Sequence, residues 1–241
     1  MRVDAYGLRV DRDPSLVPDL VRRIPPGIAV FDADGTLWTD DAADDFTLWM
    51  ISTSRIPGDS WDTYLRIYRS DPCEGCRFLL TLYKGLDIAS VRSSVDEWWR
   101  DHANRRWIPE VVESLHLASG THPVWVVSGT PTDILVPLLA MLPVDEVLGM
   151  DFELSSGRIT GKHSGVSCTG EGKAEKILSL AAGRPISFCA GNGSLDGPMM
   201  EIASRAWSVY PNPDFEAYSR ARGWPVLPRP PGFVEERKFL E

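Results

Sequence analysis

Runs of consecutive apolar residues alternate along much of this chain with stretches in which apolar residues recur at helical spacing. The runs include residues 27–34 (GIAVFDAD), 122–129 (HPVWVVSG) and 185–194 (PISFCAGNGS). Each run is short and consists largely of consecutive apolar residues, which is typical of a strand buried on both faces. Residues 132–142 and 171–182 instead predict helices. The alternation predicts an α/β fold with a doubly wound, mostly parallel sheet, and we expect functional residues at the carboxyl ends of its strands.

A long helical stretch interrupts this alternation after the first predicted strand. Residues 40–120 show helical spacing with few strand-like runs. We therefore predict an α/β core of residues 1–39 and 121–241, with residues 40–120 inserted as a mostly helical unit. The proline-rich tail, GWPVLPRPPGF, could serve as a PxxP docking ligand, but we expect it to pack over the core.

Composition places the chain among ordinary globular proteins and excludes several classes. The 241 residues are 43% hydrophobic and 24% charged, and no apolar run approaches the roughly 20 residues that cross a bilayer. A net charge of -9 argues against a nucleic-acid partner. The first residues lack the apolar region of a secretory signal, so we expect a cytoplasmic protein with no membrane partner. Four cysteines are too few for a disulfide scaffold of this length, which predicts reduced thiols.

The first predicted strand ends in two acidic residues, Asp32 and Asp34, within the sequence VFDADGTLW. Two carboxylates in a partly closed site repel each other. A cation, hydrogen bonds or proton uptake must offset that repulsion. The pair therefore indicates that a positive charge belongs at this strand end.

Polar side chains also occur at other positions that the topology would bring to the same edge. The second predicted strand ends at Ser128 and Gly129, a later helix begins near Lys173, and another strand is followed by Asn192 and Asp196. The carboxyl ends of parallel strands share one edge of a sheet. We therefore expect these residues to meet Asp32 and Asp34 in one crevice.

The combined set has the groups that phosphoryl transfer requires. Asp32 is the candidate nucleophile, because a carboxylate can attack phosphorus to form an acyl phosphate. Asp34 is the candidate general acid and base. Lys173 would supply a fixed positive charge, and Ser128 with the amides near Gly129 would hold phosphoryl oxygens. The oxygen ligands of residues 192–196 favour Mg²⁺ as the cation.

Four segments, FDADGT, VVSG, GEGK and GNGSLDGPMM, resemble in this order the motifs of the haloacid dehalogenase (HAD) superfamily of phosphohydrolases. The insert after the first motif is similar to the C1 cap of the branch that contains phosphoserine phosphatase, and so is GRITGK between the second and third motifs. The resemblance covers residues 28–212. It implies a Rossmann-like core and Mg²⁺-dependent hydrolysis of a small phosphorylated metabolite through an aspartyl-phosphate.

The resemblance also implies a role for each matched position. It makes Asp32 the nucleophile, Asp34 the acid and base, and Ser128 and Lys173 phosphate contacts. The implied metal ligands are Asp32, Asp34 through its backbone carbonyl, Asn192 and Asp196. One position departs from the family pattern, because Asn192 stands where an aspartate is usual. The missing negative charge predicts weaker metal binding.

The helical insert would select the substrate. In phosphoserine phosphatases a cap-helix arginine holds the substrate carboxylate, but here Leu79 takes that position. Arg77 lies two residues earlier, about 200° away around a helix, which argues against phosphoserine as substrate. Arg66, Arg69 and Arg77 remain candidates to bind an anionic leaving group, and residues 40–45 to bind an amine.

Other interpretations of the same residues are weaker or remain open. DADG resembles the start of an EF-hand loop, but Leu37 and Ala43 occupy the positions that need Gly and Glu. Cys73 and Cys76 lack a second pair that would complete a zinc site, and Ser128 lacks the G-x-S-x-G elbow of serine hydrolases. Three alternatives remain open for the function. The chain could be a HAD-like phosphotransferase, a hydrolase that acts on another kind of bond, or a binding protein that has lost catalytic turnover.

Overall fold

The computed structural model of the chain describes residues 2–3, 9–10, 21, 23–102 and 107–230. The predictions for the N-terminal arm and for the end of the proline-rich tail lie mostly outside these residues. The strands are β1 (Arg2–Val3), β2 (Arg9–Val10), β3 (Ile28–Asp32), β4 (Val124–Pro131), β5 (Glu146–Ser155), β6 (Arg158–Ser164), β7 (Ile186–Gly191), β8 (Ala206–Val209) and β9 (Val226–Leu227). The α-helices are α1 (Ala42–Ser52), α2 (Trp61–Ser70), α3 (Pro72–Leu79), α4 (Ile88–His102), α5 (Pro109–Ser119), α6 (Thr132–Leu139), α7 (Glu171–Ala181), α8 (Gly197–Glu201) and α9 (Pro213–Ala221).

Seven strands form one sheet in the order β6-β5-β4-β3-β7-β8-β9. All neighbouring pairs are parallel except β5 with β6, which form a hairpin. The chain enters at the centre with β3, adds β4 and β5 on one side, and returns to add β7 and β8 on the other. This order confirms the doubly wound, mostly parallel sheet. The reversal beside β3 opens a crevice at the carboxyl ends of the central strands.

The central strands are buried on both faces, as their apolar runs predicted. All five residues of β3 and all six of β7 are buried. Phe31 of β3 packs against Phe188 of β7 with ring centroids 5.5 Å apart. The apolar side chains therefore anchor the strands, and the polar residues that follow them are held at the edge of a rigid sheet.

Helices α1 to α4 form the helical insert (residues 42–102) between β3 and β4. Asp41 caps α1 by accepting a hydrogen bond from the backbone N–H of Asp44 at 3.0 Å. Asp71 caps α3 in the same way through Glu74, also at 3.0 Å. Such caps contribute about 1 kcal/mol each. Helix α5, which the sequence pattern grouped with the insert, contacts β4.

Backbone hydrogen bonds tie one side of the helical insert to the β5–β6 hairpin. Gly85 donates to the carbonyl of Ile159 at 2.8 Å, Ile159 donates to Leu86 at 2.9 Å, and Ile88 donates to Gly157 at 3.0 Å. The start of α4 is therefore fixed to the core. Helices α2 and α3 instead contribute residues to a cavity at the carboxyl ends of the central strands.

The beginning of the proline-rich tail belongs to the sheet. Val226 and Leu227 form β9, which pairs parallel with β8. The four cysteines are free thiols, as expected. Among the described residues, no helix combines the length and the apolar character that a membrane crossing requires.

Candidate active site

A cavity of about 250 Å³ opens where β3, β4 and β7 end, and helices α2 and α3 form its other side. The predicted residues Asp32, Asp34, Ser128, Gly129, Lys173, Asn192 and Asp196 line it, whereas the candidate arginines Arg66, Arg69 and Arg77 do not. The core contributes Asp32, Asp34, Ser128, Gly129, Thr130, Thr169, Lys173, Asn192, Gly193, Ser194, Leu195 and Asp196. The helical insert and the turn before it contribute Asp41, Ala43, Tyr64, Tyr68, Pro72, Cys76 and Leu79, and the C-terminal region contributes Asn212 and Arg229.

The floor of the cavity is a buried cluster of one ammonium and two carboxylates. Lys173 Nζ donates to Asp32 Oδ1 at 2.7 Å and to Asp196 Oδ1 at 2.6 Å. The exposed fractions of Asp32, Lys173 and Asp196 are 3%, 3% and 2%. Thr36 Oγ1 donates to the second oxygen of Asp32 at 2.8 Å. These contacts hold the candidate nucleophile in one orientation at the end of β3.

Burial and charge shift the protonation of this cluster. Burial, followed by the charge of Asp196, raises the pKa of Asp32 to about 7, although Lys173 opposes the change. Burial disfavours the Lys173 ammonium, but Asp196 and Asp32 outweigh it and hold the pKa of Lys173 well above its usual range. Lys173 is therefore charged near neutral pH. One ammonium shared by two buried carboxylates leaves an excess of negative charge at the floor of the cavity.

The loop after β7 positions Asp196. Its Oδ2 accepts hydrogen bonds from the backbone N–H of Asn192 at 2.9 Å and of Gly193 at 3.1 Å. A Cβ at Gly191 would lie 2.6 Å from Asp196 Cβ, so the close approach requires glycine there. The loop thus presents a carboxylate whose two oxygens point to different partners, one to the backbone and one to Lys173.

Asp34 is held by four hydrogen bonds that join three parts of the chain. Its Oδ1 accepts from Trp38 Nε1 at 2.9 Å and from the backbone N–H of Ala42 at 2.7 Å. Its Oδ2 accepts from Ser128 Oγ and Thr130 Oγ1, both at 2.7 Å. The Asp34 carboxylate therefore links the end of β3 to β4 and to the start of α1. Ser128 reaches the cavity as predicted, and its hydroxyl contacts Asp34.

The turn after Asp34 packs against Asn192. Gly35 has a left-handed backbone with φ of 79°, and a Cβ there would lie 1.9 Å from Asn192 Nδ2. The absence of a side chain at Gly35 lets the amide of Asn192 sit against the loop that carries both candidate catalytic carboxylates. The sequence placed these two loops at one sheet edge, and the structure brings them into contact.

The floor of the cavity fits a hard divalent cation in charge and donor type. Asp32 and Asp196 supply carboxylate oxygens, which Mg²⁺ prefers. Within residues 23–102 and 107–230, however, no three or more His, Cys, Asp or Glu side chains surround one potential metal position. The amide oxygen of Asn192 and the backbone carbonyl of Asp34 would therefore have to complete the ligand set.

Arg77 is one of three predicted arginines, with Arg66 and Arg69, that do not line the cavity. Its Nε donates to Glu74 Oε2 at 2.9 Å, which places it on the outer side of α3. Cys76 and Leu79 are the residues from the second half of this helix that line the cavity. The prediction of Arg77 as a phosphate or substrate contact is corrected accordingly, because helix rotation directs its side chain elsewhere.

Several lining residues were missed by the sequence analysis. Thr130 follows the VVSG segment directly, so its alternation with Ser128 along β4 was a usable signal. Asp41 was not among the missed residues, because it lies within residues 40–45, which the sequence analysis named as candidates to bind an amine. Asn212 and Arg229 lie beyond the motifs, and nothing in the local sequence distinguished them from surface residues.

Comparisons with known proteins agree on one family. A family model described as haloacid dehalogenase-like hydrolase matches residues 29–201. A relative from Mycobacterium tuberculosis named as a probable phosphatase is 33% identical over 155 residues, covering 62% of this chain and 53% of the relative. The chain therefore spans about half the length of that relative.

Solved structures share the fold. A protein of unknown function from Bordetella pertussis Tohama I matches with a TM-score of 0.75 at 23% identity, covering 84% of this chain and 99% of that one. A probable phosphoserine phosphatase from Vibrio cholerae matches with a TM-score of 0.61 at 21% identity, covering 88% of this chain and 62% of that one. Both matches place the parallel sheet and its flanking helices in a known architecture.

Proposed function

Because this chain belongs to the haloacid dehalogenase-like hydrolase family, we propose that it is a Mg²⁺-dependent phosphatase acting on a small phosphorylated metabolite. The family match confirms the resemblance that the four sequence motifs carried. The observation that carries the proposal is the contact of the Lys173 ammonium with the carboxylates of Asp32 and Asp196 at the floor of the cavity. Such a cluster offers both a nucleophile and compensation for phosphoryl charge.

The first step in this proposal transfers the phosphoryl group to Asp32. A carboxylate oxygen of Asp32 attacks phosphorus, the bond between phosphorus and the substrate oxygen breaks, and an aspartyl-phosphate forms. In this proposal Asp34 is the general acid that gives a proton to the departing alcohol oxygen. Ser128 and Thr130 orient Asp34 through their hydroxyls. Lys173 offsets negative charge on the transferring group.

The second step regenerates the carboxylate of Asp32. Asp34, now ionised, takes a proton from water while the water oxygen attacks phosphorus. The bond between phosphorus and the Asp32 oxygen breaks, and inorganic phosphate leaves. One residue thus serves as acid in the first step and as base in the second.

Mg²⁺ would be held by Asp32, the backbone carbonyl of Asp34, Asn192 and Asp196. When bound, it would neutralise charge on the phosphoryl oxygens and offset the repulsion between the carboxylates. Burial, and then the charge of Asp196, raise the pKa of Asp32; a cation at the floor would offset the negative charge of these carboxylates, which supports this assignment. Asn192 contributes a neutral amide in the set, so the proposal includes weaker metal binding than four charged ligands would give.

The size of the cavity supports a small substrate. Its volume of about 250 Å³ accommodates a phosphate ester with a short leaving group. Ligand pockets for drug-sized molecules are commonly larger, at roughly 300–1,000 Å³. Helices α2 and α3 line the cavity opposite the strand ends, which supports access for metabolites over access for a phosphorylated macromolecule.

The test is hydrolysis of p-nitrophenyl phosphate with and without Mg²⁺, by the parent protein, Asp32→Asn and Asp62→Asn. Asp62 is an exposed residue of α2 outside the cavity and serves as the matched control. We expect the Asp32→Asn variant to lose about 10³-fold or more of kcat, because its amide cannot act as the nucleophile. Activity near the parent level in Asp32→Asn would contradict the nucleophile assignment.

A second candidate is a binding protein that keeps the pocket but has lost turnover. The observation that favours it is the amide of Asn192 at a position predicted to hold a metal ligand. An absence of hydrolysis across a panel of phosphoesters, together with binding of inorganic phosphate, would support this candidate over the phosphatase.

A further inference from the structure

The two oxygens of the Asp34 carboxylate have hydrogen-bond partners of different chemical kinds. Oδ1 accepts from two N–H groups, the indole Nε1 of Trp38 at 2.9 Å and the backbone N of Ala42 at 2.7 Å. Oδ2 accepts from two hydroxyls, those of Ser128 and Thr130, both at 2.7 Å. An indole or backbone N–H can only donate, whereas a hydroxyl can donate or accept. The two oxygens are therefore not equivalent in a proton transfer.

The N–H partners restrict Oδ1 to the role of an acceptor. A proton on Oδ1 would point at groups that have no lone pair to receive it, so the hydrogen bonds to that oxygen would weaken or break. A proton on Oδ2 meets hydroxyls instead, and a hydroxyl can turn to accept a hydrogen bond. The carboxyl group of Asp34 can thus gain and release a proton at Oδ2 while both bonds to Oδ1 persist.

The same division separates the cavity from the interior of the protein. Ser128 and Thr130 line the cavity together with Asp34, but Trp38 and Ala42 do not. Trp38 and Ala42 are fully buried. The partners of Oδ2 therefore lie at the wall of the cavity, where a substrate would bind, and the partners of Oδ1 lie behind that wall.

Packing and backbone hydrogen bonds hold the indole of Trp38 in place. The turn that carries it is closed by a hydrogen bond from the N–H of Leu37 to the carbonyl of Ala33 at 2.8 Å. The ring of Trp107 packs edge-on against Trp38, with centroids 5.3 Å apart and an angle of 85° between the rings. The N–H of Ile108 donates to the carbonyl of Leu37 at 2.9 Å. The chain before α5 thus fixes the indole from the side.

We propose that Trp38 is a positioning residue for proton transfer: its indole N–H, with the backbone N–H of Ala42, holds Asp34 Oδ1, so that Oδ2 exchanges the proton with the substrate. This inference rests on the proposed phosphatase function. When the bond between phosphorus and the leaving oxygen breaks, its electron pair stays on the leaving oxygen, which takes the proton from Oδ2. In the second step Oδ2 takes a proton from the attacking water. Trp38 acts through Asp34, since it does not line the cavity.

The experiment measures kcat/KM for p-nitrophenyl phosphate, phenyl phosphate and propyl phosphate, whose leaving groups need protonation to different extents. The p-nitrophenolate ion leaves readily without a proton, whereas the far more basic propyl alcohol oxygen needs one as it leaves. A defect in proton donation by Asp34 should therefore grow from p-nitrophenyl phosphate to propyl phosphate. The variant Asp34→Asn provides the reference for that pattern.

Two changes at Trp38 test the residue itself. Trp38→Phe removes the N–H and keeps an aromatic ring against Trp107. The ratio of kcat/KM for p-nitrophenyl phosphate to that for propyl phosphate should rise about tenfold, as for the loss of one hydrogen bond to a charged group. Replacement of Trp38 by 3-benzothienylalanine, which has sulfur in place of the N–H, preserves the shape of the indole and should give the same rise.

Trp207→Phe is the matched control for these variants. Trp207 is also buried, but it lies in β8 and does not line the cavity. The same loss of an indole should therefore leave the dependence on the leaving group at that of the parent protein.

The results separate the inference from the proposed function. An equal fall for all three esters in both Trp38 variants would indicate a structural role alone and would overturn the inference, while the phosphatase proposal would stand. An unchanged dependence on the leaving group in the 3-benzothienylalanine variant would overturn it as well, and so would an equal rise in Trp207→Phe. Failure of the parent protein on every ester would reject the phosphatase proposal and the inference with it.

Discussion

Asn192 shows how one side chain can set the properties of the cavity. Its amide packs against Gly35 in the loop that carries Asp32 and Asp34. The neighbouring Asp196 already gives one oxygen to Lys173 and the other to backbone N–H groups. A carboxylate at position 192 would therefore add a negative charge. The ammonium at the floor of the cavity does not already neutralise it, because it is bound to other carboxylates.

We predict that Asn192→Asp tightens Mg²⁺ binding by about tenfold, because a charged oxygen ligand replaces a neutral one. The measurement is the Mg²⁺ concentration that gives half-maximal hydrolysis of p-nitrophenyl phosphate. Asn212→Asp is the matched control, since Asn212 also lines the cavity but is not predicted to be a metal ligand. Equal tightening in both variants would indicate a general effect of charge and would contradict the assignment of Asn192.

At the scale of elements, helix α7 depends on a close backbone approach at its first turn. A Cβ at Gly172 would lie 1.8 Å from the carbonyl oxygen of Ser167. Lys173 is the next residue, and its ammonium reaches Asp32 and Asp196 across the sheet. The start of α7 therefore packs closely against Ser167 and also carries the lysine of the charge cluster.

We predict that Gly172→Ala lowers the free energy of unfolding by about 2 kcal/mol, because the helix start must move away from Ser167. Thermal unfolding measures the loss, and the kcat for p-nitrophenyl phosphate should fall with it as Lys173 shifts. Gly197→Ala is the control, since Gly197 begins α8 and its added Cβ would meet nothing closer than 3.4 Å. Equal stability of the two variants would refute the steric explanation.

At the scale of the whole molecule, the helical insert and the core share one hydrophobic cluster. Trp98 and Leu80 of the insert belong to the same cluster of buried residues as Trp125 and Phe188 of the sheet. Backbone hydrogen bonds between residues 85–88 and the β5–β6 hairpin add a second connection. Because of these connections, unfolding the helical insert without the core, or the core without the insert, would cost free energy.

We predict a single cooperative thermal transition for the whole chain. Far-UV circular dichroism and tryptophan fluorescence should give coincident curves, and the calorimetric enthalpy should equal the van't Hoff enthalpy. Buried tryptophans report on both parts, since Trp98 lies in the insert and Trp125 in the sheet. Two separated transitions would contradict the prediction and would indicate an insert that folds independently.

Residues that act through local sequence were predictable. The apolar runs identified β3, β4 and β7, because a strand buried on both faces leaves little choice of side chain. Asp32 and Ser128 were assigned from their places at the ends of those runs and Lys173 from its place at the start of a helix, and the structure brings all three to one cavity. The family followed from the same segments, and the family match confirms it.

Residues whose position depends on packing between distant elements were not predictable. Arg77 and Cys76 are neighbours on α3, yet only Cys76 lines the cavity. The rotation of that helix is set by its contact with α2, where a Cβ at Gly75 would lie 2.6 Å from Tyr68 Cα. Arg229 reaches the cavity because β9 joins the sheet beside β8. Neither contact can be predicted from the spacing of apolar residues in the local sequence.

The sequence by itself determined the class of fold, the order of the elements and the identity of the charged groups at the strand ends. Side-chain period and the spacing of polar residues after apolar runs are local properties, so they can be interpreted from the chain alone. Only the tertiary structure decided that Asp41 and the tyrosines of α2 line the same cavity as the strand ends, and that Arg229 lines it from the C-terminal region. Those positions result from close packing between segments far apart in the chain, which local preference does not encode.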